Sequence, residues 1–161
     1  MKVAKRARIN ASLLDKLIDD NPDQKNVVEN YRGINLTQLR RNVARDLENL
    51  LNSKVQWNTW PDCYTELDNS LANYGMTDFS SMPVGSMEGR KMLCEKVAQT
   101  IKRFEPRFAE VYVETVDNDQ PIDQILSLRI NALLHDDSEV ISFNSEVEPV
   151  HLGMKVRESL S

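Results

Sequence analysis

The stretch from Ile101 to Val116 reads IKRFEPRFAEVYVETV, and a helical pattern changes to an extended one inside it. The change falls at Pro106. Proline has no amide hydrogen, and its ring crowds the preceding residue out of the helical region. We therefore expect Phe104 to be the last helical residue and Glu105 to be the first residue that leaves the helix.

Two opposite charges flank this proline. If residues 105–113 are extended, side chains alternate between two sides, and Glu105 and Arg107 share a side with the apolar residues Ala109, Val111 and Val113. Charges at the rim of an apolar face lose part of their hydration, which is costly unless they are paired. Both residues therefore need partners, within the chain or on another one.

Apolar residues recur at helical spacing in three segments before the proline, residues 9–20, 35–53 and 86–104. A further short helical segment is expected near residues 66–73, ending at Gly75, since glycine commonly closes helices. Charges lie off the apolar stripes: Arg40, Arg41, Arg45, Asp46 and Glu48 in the second helix, and Arg90, Lys91, Lys96 and Lys102 in the third. Such residues usually form a face that is exposed to water.

Strand patterns follow the proline. Residues 109–117 and 125–134 alternate, Ile141 and Phe143 mark a third strand, and a weaker pattern near residues 150–156 indicates a fourth. Strands joined by short connections pair antiparallel. The sequence therefore predicts an α+β fold, with N-terminal helices followed by a small antiparallel sheet of three to four strands and the helices packed on one face. The sheet would have exposed edges.

The domain organisation follows from these segments. Residues 1–34 are expected to form an N-terminal arm, with a short amphipathic helix and a polar linker. Residues 35–161 are expected to form a single α+β domain, which suits the total length of 161 residues.

Composition excludes several classes of protein. A net charge of −5 argues against nucleic-acid binding, which needs a basic surface. No apolar run is long enough to span a membrane and no signal peptide opens the chain, so we expect no membrane insertion and a cytoplasmic location. Cys63 and Cys94 are far apart and lack metal-site spacing, so neither a metal nor another cofactor is expected.

Enzyme signatures are sparse. No glycine-rich phosphate loop and no nucleophile elbow occur, and His135 and His151 match no catalytic pattern. Paired carboxylates could hydrolyse a glycoside, with Glu105 as general acid and Asp46, Glu48, Asp117, Asp119 or Asp123 as its partner. Against this, Arg107 would favour the ionised form of Glu105, which opposes its use as a proton donor.

Four segments then match a known family in order and spacing: SLLDKL at 12–17, RDLENLLN at 45–52, NYGMTDFS at 73–80 and RFEPRF at 103–108. The chain resembles the TssE family, the type VI secretion baseplate subunits. This family is related to the contractile-phage baseplate wedge protein that is sometimes labelled lysozyme-like.

The resemblance implies a structural protein of the bacterial cytoplasm, in a baseplate docked at the inner-membrane complex, and no enzyme. Its implied partners are the baseplate subunits TssF, TssG and TssK and sheath subunits of the TssB/TssC type. It also implies a platform for sheath polymerisation, with strand pairing between chains. The residues expected to contact partners are Glu105, Pro106, Arg107, Phe108, Arg45 and Asp46.

Three interpretations of Glu105 and Arg107 stay open on the sequence alone. They could bond a neighbouring baseplate subunit, or Glu105 could be the general acid of a peptidoglycan hydrolase. They could also be internal, satisfying each other and the ends of helices.

Overall fold

A computed structural model describes residues 13–17, 36–55, 60–61, 63–116, 126–135, 140–147 and 153–158. In these ranges α-helices come first and strands follow. The helices are α1 (Leu13–Leu17), α2 (Leu36–Asn52) and α3 (Met87–Phe104); the strands are β1 (Phe108–Val116), β2 (Leu126–Leu134), β3 (Val140–Val147) and β4 (Met154–Glu158). The predicted α+β class is confirmed.

The chain divides into two compact units, residues 1–43 and 44–161, and the boundary falls inside α2. In the first unit, α1 confirms the central part of the helix expected over residues 9–20, and its Leu14 and Leu17 are exposed. Residues 1–12 and 18–35 lie outside the described ranges. The separation of an arm at residue 34 therefore stays a prediction.

The second unit contains the sheet, whose antiparallel strands lie in the order β1-β2-β3-β4. The alternation expected from the sequence is confirmed in β2, where Leu128, Ile130, Ala132 and Leu134 are buried. In β3 the buried residues include Ile141 and Phe143. The fourth strand exists, and its described residues begin at Met154. Residues 148–152, where its start was expected, lie outside the described ranges.

The register of β1 against β2 shifts by one residue between Phe108 and Glu110. Ala109 is the extra residue of this bulge, and a bulge interrupts the alternation of side chains. Phe108 and Val113 are consequently both buried although they are five positions apart. The expectation of uninterrupted alternation over residues 105–113 is therefore wrong.

Helix α3 begins and ends as the sequence predicts. At its start, the Ser86 hydroxyl oxygen accepts a hydrogen bond from the amide of Gly89 at 3.0 Å. Leu93, Val97 and Ile101 form its buried stripe, and the helix packs against β1. An N-cap of this kind satisfies one of the amides that the first helical turn leaves free.

Arg90 on α3 is less exposed to water than the sequence predicts. Its Nε donates a hydrogen bond to the carbonyl oxygen of Val84 at 3.0 Å, and the residue is half-buried. Lys91 and Lys102 on the same helix are exposed, as predicted. The difference arises because the turn before α3 brings a free carbonyl within reach of the guanidinium group.

The segment between α2 and α3 contains two short 3-10 helices, Thr65–Asn69 and Leu71–Asn73, in the region where helical turns were expected. Gly75 follows them with a φ of 119°. A Cβ atom at this position would lie 2.3 Å from the carbonyl oxygen of Ser53. That oxygen accepts the Met76 amide at 2.7 Å, so glycine allows the loop to pair with the end of α2.

The buried apolar residues of the second unit come from α2, α3, the segment between them and all four strands. They are Leu47, Leu50, Leu51, Met76, Phe79, Leu93, Cys94, Val97, Ile101, Phe108, Val113, Leu128, Ile130, Ala132, Leu134, Ile141, Phe143, Val147, Met154 and Val156. Removing such side chains from water is the main favourable term in folding.

Within the described ranges, no helix has the length and apolar character needed to cross a membrane.

Candidate functional site

The junction between α3 and β1 is held by backbone hydrogen bonds on both sides of Pro106. Glu105 is the first residue outside the helix, and its amide donates to the carbonyl oxygen of Ile101 at 2.8 Å. The Phe108 amide donates to the Glu105 carbonyl at 3.3 Å, and the His135 amide donates to the Arg107 carbonyl at 3.1 Å. The predicted end of the helix is confirmed, and the turn is tied to the end of β2.

Glu105 and Arg107 form an ion pair with two parallel hydrogen bonds. Nε of Arg107 donates to Oε1 of Glu105 at 2.6 Å, and Nη2 donates to Oε2 at 2.5 Å. Only 8% of Glu105 is exposed. Charge-assisted bonds in this fork geometry are stronger than neutral ones and fix the orientation of both groups. Glu105 and Arg107 therefore pair with each other, which meets the requirement for partners that was inferred from the sequence.

Asp46 on α2 extends this pair. Nη2 of Arg107 also donates to Oδ2 of Asp46 at 2.7 Å. The other oxygen, Oδ1, accepts from Nε and Nη2 of Arg45 at 3.1 and 2.9 Å. The four residues thus form a row of alternating sign, Glu105, Arg107, Asp46 and Arg45, which we call the four-charge row. It fastens the second half of α2 to the junction between α3 and β1.

The electrostatics of the row keep Arg107 charged. Burial lowers the pKa of its guanidinium group, but the hydrogen bonds and charges of Glu105 and Asp46 together outweigh burial and raise the pKa above its ordinary value. Nη1 of Arg107 is buried and has no hydrogen-bond partner among the described residues. A buried donor without a partner is costly, so this nitrogen is the incompletely satisfied point of the site.

Tyr74 lies beside the row, and sequence reasoning assigned it no role. Its pKa is raised, first by burial and then by the negative charges of Asp46 and Glu105. Its ring meets that of Phe104 edge to face, with centroids 5.4 Å apart. The signal that could have pointed to it is its place in the segment NYGMTDFS, one of the four that carry the family resemblance.

All six residues that the sequence singled out come together here, but their exposure differs. Among the four side chains of the row, the exposed fraction is lowest for Glu105, at 10%, and highest for Arg45, at 37%. Pro106 is exposed, whereas Phe108 is buried. The site therefore has a buried end at Glu105 and Phe108 and an accessible rim at Arg45 and Pro106.

The arrangement offers little to acid catalysis at Glu105. A general acid must reach a substrate oxygen, and both carboxylate oxygens of Glu105 are bonded to Arg107. Asp117, Asp119 and Asp123, named as possible catalytic partners of Glu105, lie outside the described ranges. Among the described residues, no group of three or more histidine, cysteine or acidic side chains could hold a metal ion.

Comparison with families of known proteins places the chain among structural proteins of baseplates. Residues 37–139 match the family described as baseplate wedge protein gp25, and the chain belongs to this family. The match includes α2 from its second residue, α3, β1, β2 and every residue of the four-charge row. It confirms the family to which the sequence segments pointed. Neither the curated proteins nor the solved structures include a match to this chain.

Proposed function

We propose that the chain is a TssE-type wedge subunit of a type VI secretion baseplate. Membership of the baseplate wedge family supports a structural role in assembly with other baseplate proteins. The four sequence segments that resemble TssE support the specific system. On this proposal the protein is cytoplasmic, lies in a baseplate docked at the inner-membrane complex, and binds the subunits TssF, TssG and TssK.

The observation that carries the proposal is the four-charge row, which joins α2 to the junction between α3 and β1 and leaves one rim accessible. Arg107 is held by two carboxylates, so its position does not depend on a partner. We assign Glu105, Asp46 and Phe108 to holding the surface in shape. Arg45, Pro106 and the guanidinium of Arg107 are assigned to contact with the neighbouring wedge subunit. Rigid, preorganised groups bind with a smaller loss of conformational entropy.

The same observation argues that the protein is not a peptidoglycan hydrolase. Glu105 would have to release Arg107 before it could act as a proton donor, and this would leave a half-buried guanidinium without its main partner. A purified sample that leaves cell-wall suspensions uncleared from acidic to neutral pH is the expected result.

We further assign to the protein the platform on which sheath subunits begin to polymerise. A four-stranded antiparallel sheet with two edge strands supports this assignment, because an extended segment of another chain can add to a sheet edge through main-chain hydrogen bonds.

Co-expression with TssF, TssG and TssK tests the proposal. The full chain is tagged, and the subunits that it retains are scored. We expect wild-type protein to retain the wedge subunits and an Arg45→Glu variant to lose them, because this change places a negative charge on the accessible rim beside Asp46.

Arg41→Glu is the matched control, since Arg41 is an exposed residue of the same helix and undergoes the same change of charge. It should retain the wedge subunits as wild type does. Wild-type protein that retains none of them would overturn the proposed function. Equal retention by both variants would overturn the assignment of the rim alone.

A further inference from the structure

Side chains of α2 bond to the outer edge of β4. Nδ2 of Asn52 donates to the carbonyl oxygen of Met154 at 2.7 Å, and Oδ1 of Asn52 accepts from the amide of Met154 at 2.8 Å. Oε2 of Glu48 accepts from the amide of Val156 at 3.2 Å. Asn52 thus bonds to Met154 as a neighbouring strand would, and three main-chain groups of this edge are occupied.

These bonds fix the direction of the main-chain groups across the whole sheet. In an antiparallel pair, opposite residues alternate between exchanging both hydrogen bonds and exchanging neither. The amide of Val156 points away from β3. The amide and carbonyl groups of its partner Ser145 therefore point toward β2, where they bond to Leu128. The amide and carbonyl groups of Leu128 therefore point away from β1, and those of its partner Thr115 point to the outer edge of the sheet.

The same alternation applies along β1, where the register against β2 is continuous from Glu110 to Val116. Val111, Val113 and Thr115 accordingly direct their amide and carbonyl groups outward. No described residue bonds to these groups. The sheet therefore has one edge at which α2 occupies three main-chain groups and one edge whose outward groups no described residue bonds. Unpaired main-chain groups on an edge strand are a template for another strand.

We infer that strand addition takes place at β1 and not at β4. The inference rests on the proposed function, because it specifies the edge to which an extended segment of a sheath subunit binds. At β1 such a segment finds six main-chain groups, the amides and carbonyls of Val111, Val113 and Thr115. At β4 it would have to displace Asn52 and Glu48 first.

The side chains of β1 define the chemistry of the segment that fits. On one face, β1 presents Glu110, Tyr112 and Glu114, of which Glu110 is exposed and Tyr112 is 64% exposed. Glu114 forms an ion pair with Arg129, in which Oε1 of Glu114 lies 3.7 Å from Nη1 of Arg129. On the opposite side lie Val111 and the buried Val113. An added strand with basic residues on one side and apolar residues on the other matches both faces.

Amide hydrogen exchange of the full chain, measured residue by residue, tests the edge assignment directly. In the free protein, the amides of Met154 and Val156 should exchange slowly, and those of Val111, Val113 and Thr115 quickly. Addition of purified sheath subunits should slow exchange at the three β1 amides by at least about tenfold. Slowing at Met154 and Val156 with no change on β1 would overturn the inference.

A variant pair gives a second, independent readout. Thr115→Pro removes an outward amide and leaves the ladder between β1 and β2 intact, since the ladder uses the amides of Glu114 and Val116. It should weaken sheath binding by at least about tenfold while the wedge subunits are still retained. Asn52→Ala, which opens β4, should leave sheath binding at β1 unchanged.

The two proposals fail in different ways. If wild-type protein binds neither wedge nor sheath subunits, the proposed function is wrong. If wild-type protein binds sheath subunits and Thr115→Pro binds them equally well, only the edge assignment is wrong.

Discussion

Nη2 of Arg107 lies 2.7 Å from Oδ2 of Asp46, and the two residues are 61 positions apart in the chain. This contact joins α2 to the junction between α3 and β1. The side chains are 22% and 17% exposed, so water screens the contact only in part. Its loss should therefore be measurable as a change in stability as well as in assembly.

Asp46→Ala is expected to lower the free energy of unfolding by about 1–3 kcal/mol, because it removes an acceptor from two arginines and leaves Arg107 bound only to Glu105. Urea denaturation measures the change. Glu95→Ala, which removes an exposed acid of α3, serves as the control and should stay within about 0.5 kcal/mol of wild type. Equal stabilities of the two variants would show that the row does not fasten α2.

Two glycines form a matched pair for a test of packing at the start of α3. A Cβ atom on Gly89 would lie 2.2 Å from the carbonyl oxygen of Pro83, whereas one on Gly85 would meet nothing within 4 Å. Gly89→Ala should destabilise the protein by more than about 2 kcal/mol, although alanine favours helix by about 1 kcal/mol.

Gly85→Ala should be neutral or should stabilise the protein by up to about 1 kcal/mol, because it restricts the unfolded chain. Thermal melting of both variants measures the contrast. A Gly89→Ala protein that melts with wild type would contradict the close approach of Pro83.

Tyr74 predicts a pH dependence at the alkaline end. Since its pKa is raised in the folded state, its contribution to stability is complete below the ordinary tyrosine pKa and is lost as pH rises through the raised value. Ultraviolet titration of tyrosinate should show a late-ionising group among the four tyrosines, absent in Tyr74→Phe.

One further variant separates the contribution of the Asp46 charge to the pKa of Tyr74 from the contribution of burial. Asp46→Asn removes a negative charge near Tyr74 and should lower the late pKa, while burial of the ring keeps it above the ordinary value. An unchanged titration in Asp46→Asn would mean that the charge of Asp46 does not contribute to the raised pKa of Tyr74.

The two cysteines should differ in reactivity. Cys63 is exposed and Cys94 is buried. Burial raises the pKa of the Cys94 thiol, and the nearby acids Glu114 and Glu95 add to this effect, which outweighs a backbone hydrogen bond that lowers the pKa; little thiolate therefore forms near neutral pH. A thiol reagent should label Cys63 at least about a hundredfold faster than Cys94 in the native protein. Equal rates in the native protein, with Cys63→Ser as the reference, would contradict the burial of Cys94.

Local rules in the sequence were sufficient for the elements of the fold. Pro106 determines where α3 ends, Ser86 determines where it begins, and alternation marks β2 and β3. The bulge at Ala109 was not predictable in this way, because it depends on how β1 aligns with a strand that follows it in the chain. Arg90 was misplaced for a similar reason, since its carbonyl partner belongs to a turn and not to a periodic element.

The site was predictable in its residues but not in its connections. Glu105 and Arg107 needed partners because of their position, and this requirement could be inferred from the sequence. Asp46 was one of several acids that could have met it, and only the packing of α2 selects it. Tyr74 carried no requirement of its own, since an aromatic residue in a loop is usually explained by packing.

The closure of β4 by Asn52 also affects how copies of this chain meet one another. Two copies cannot join β1 of one to β4 of the next while Asn52 keeps its bonds to Met154, so the sheets of successive copies do not continue into a ribbon. Under the inferred strand addition at β1, each copy begins a row of strands contributed by other chains and does not extend a row of its own kind. Two unequal edges of this sort would give a growing assembly a fixed first layer and a single direction.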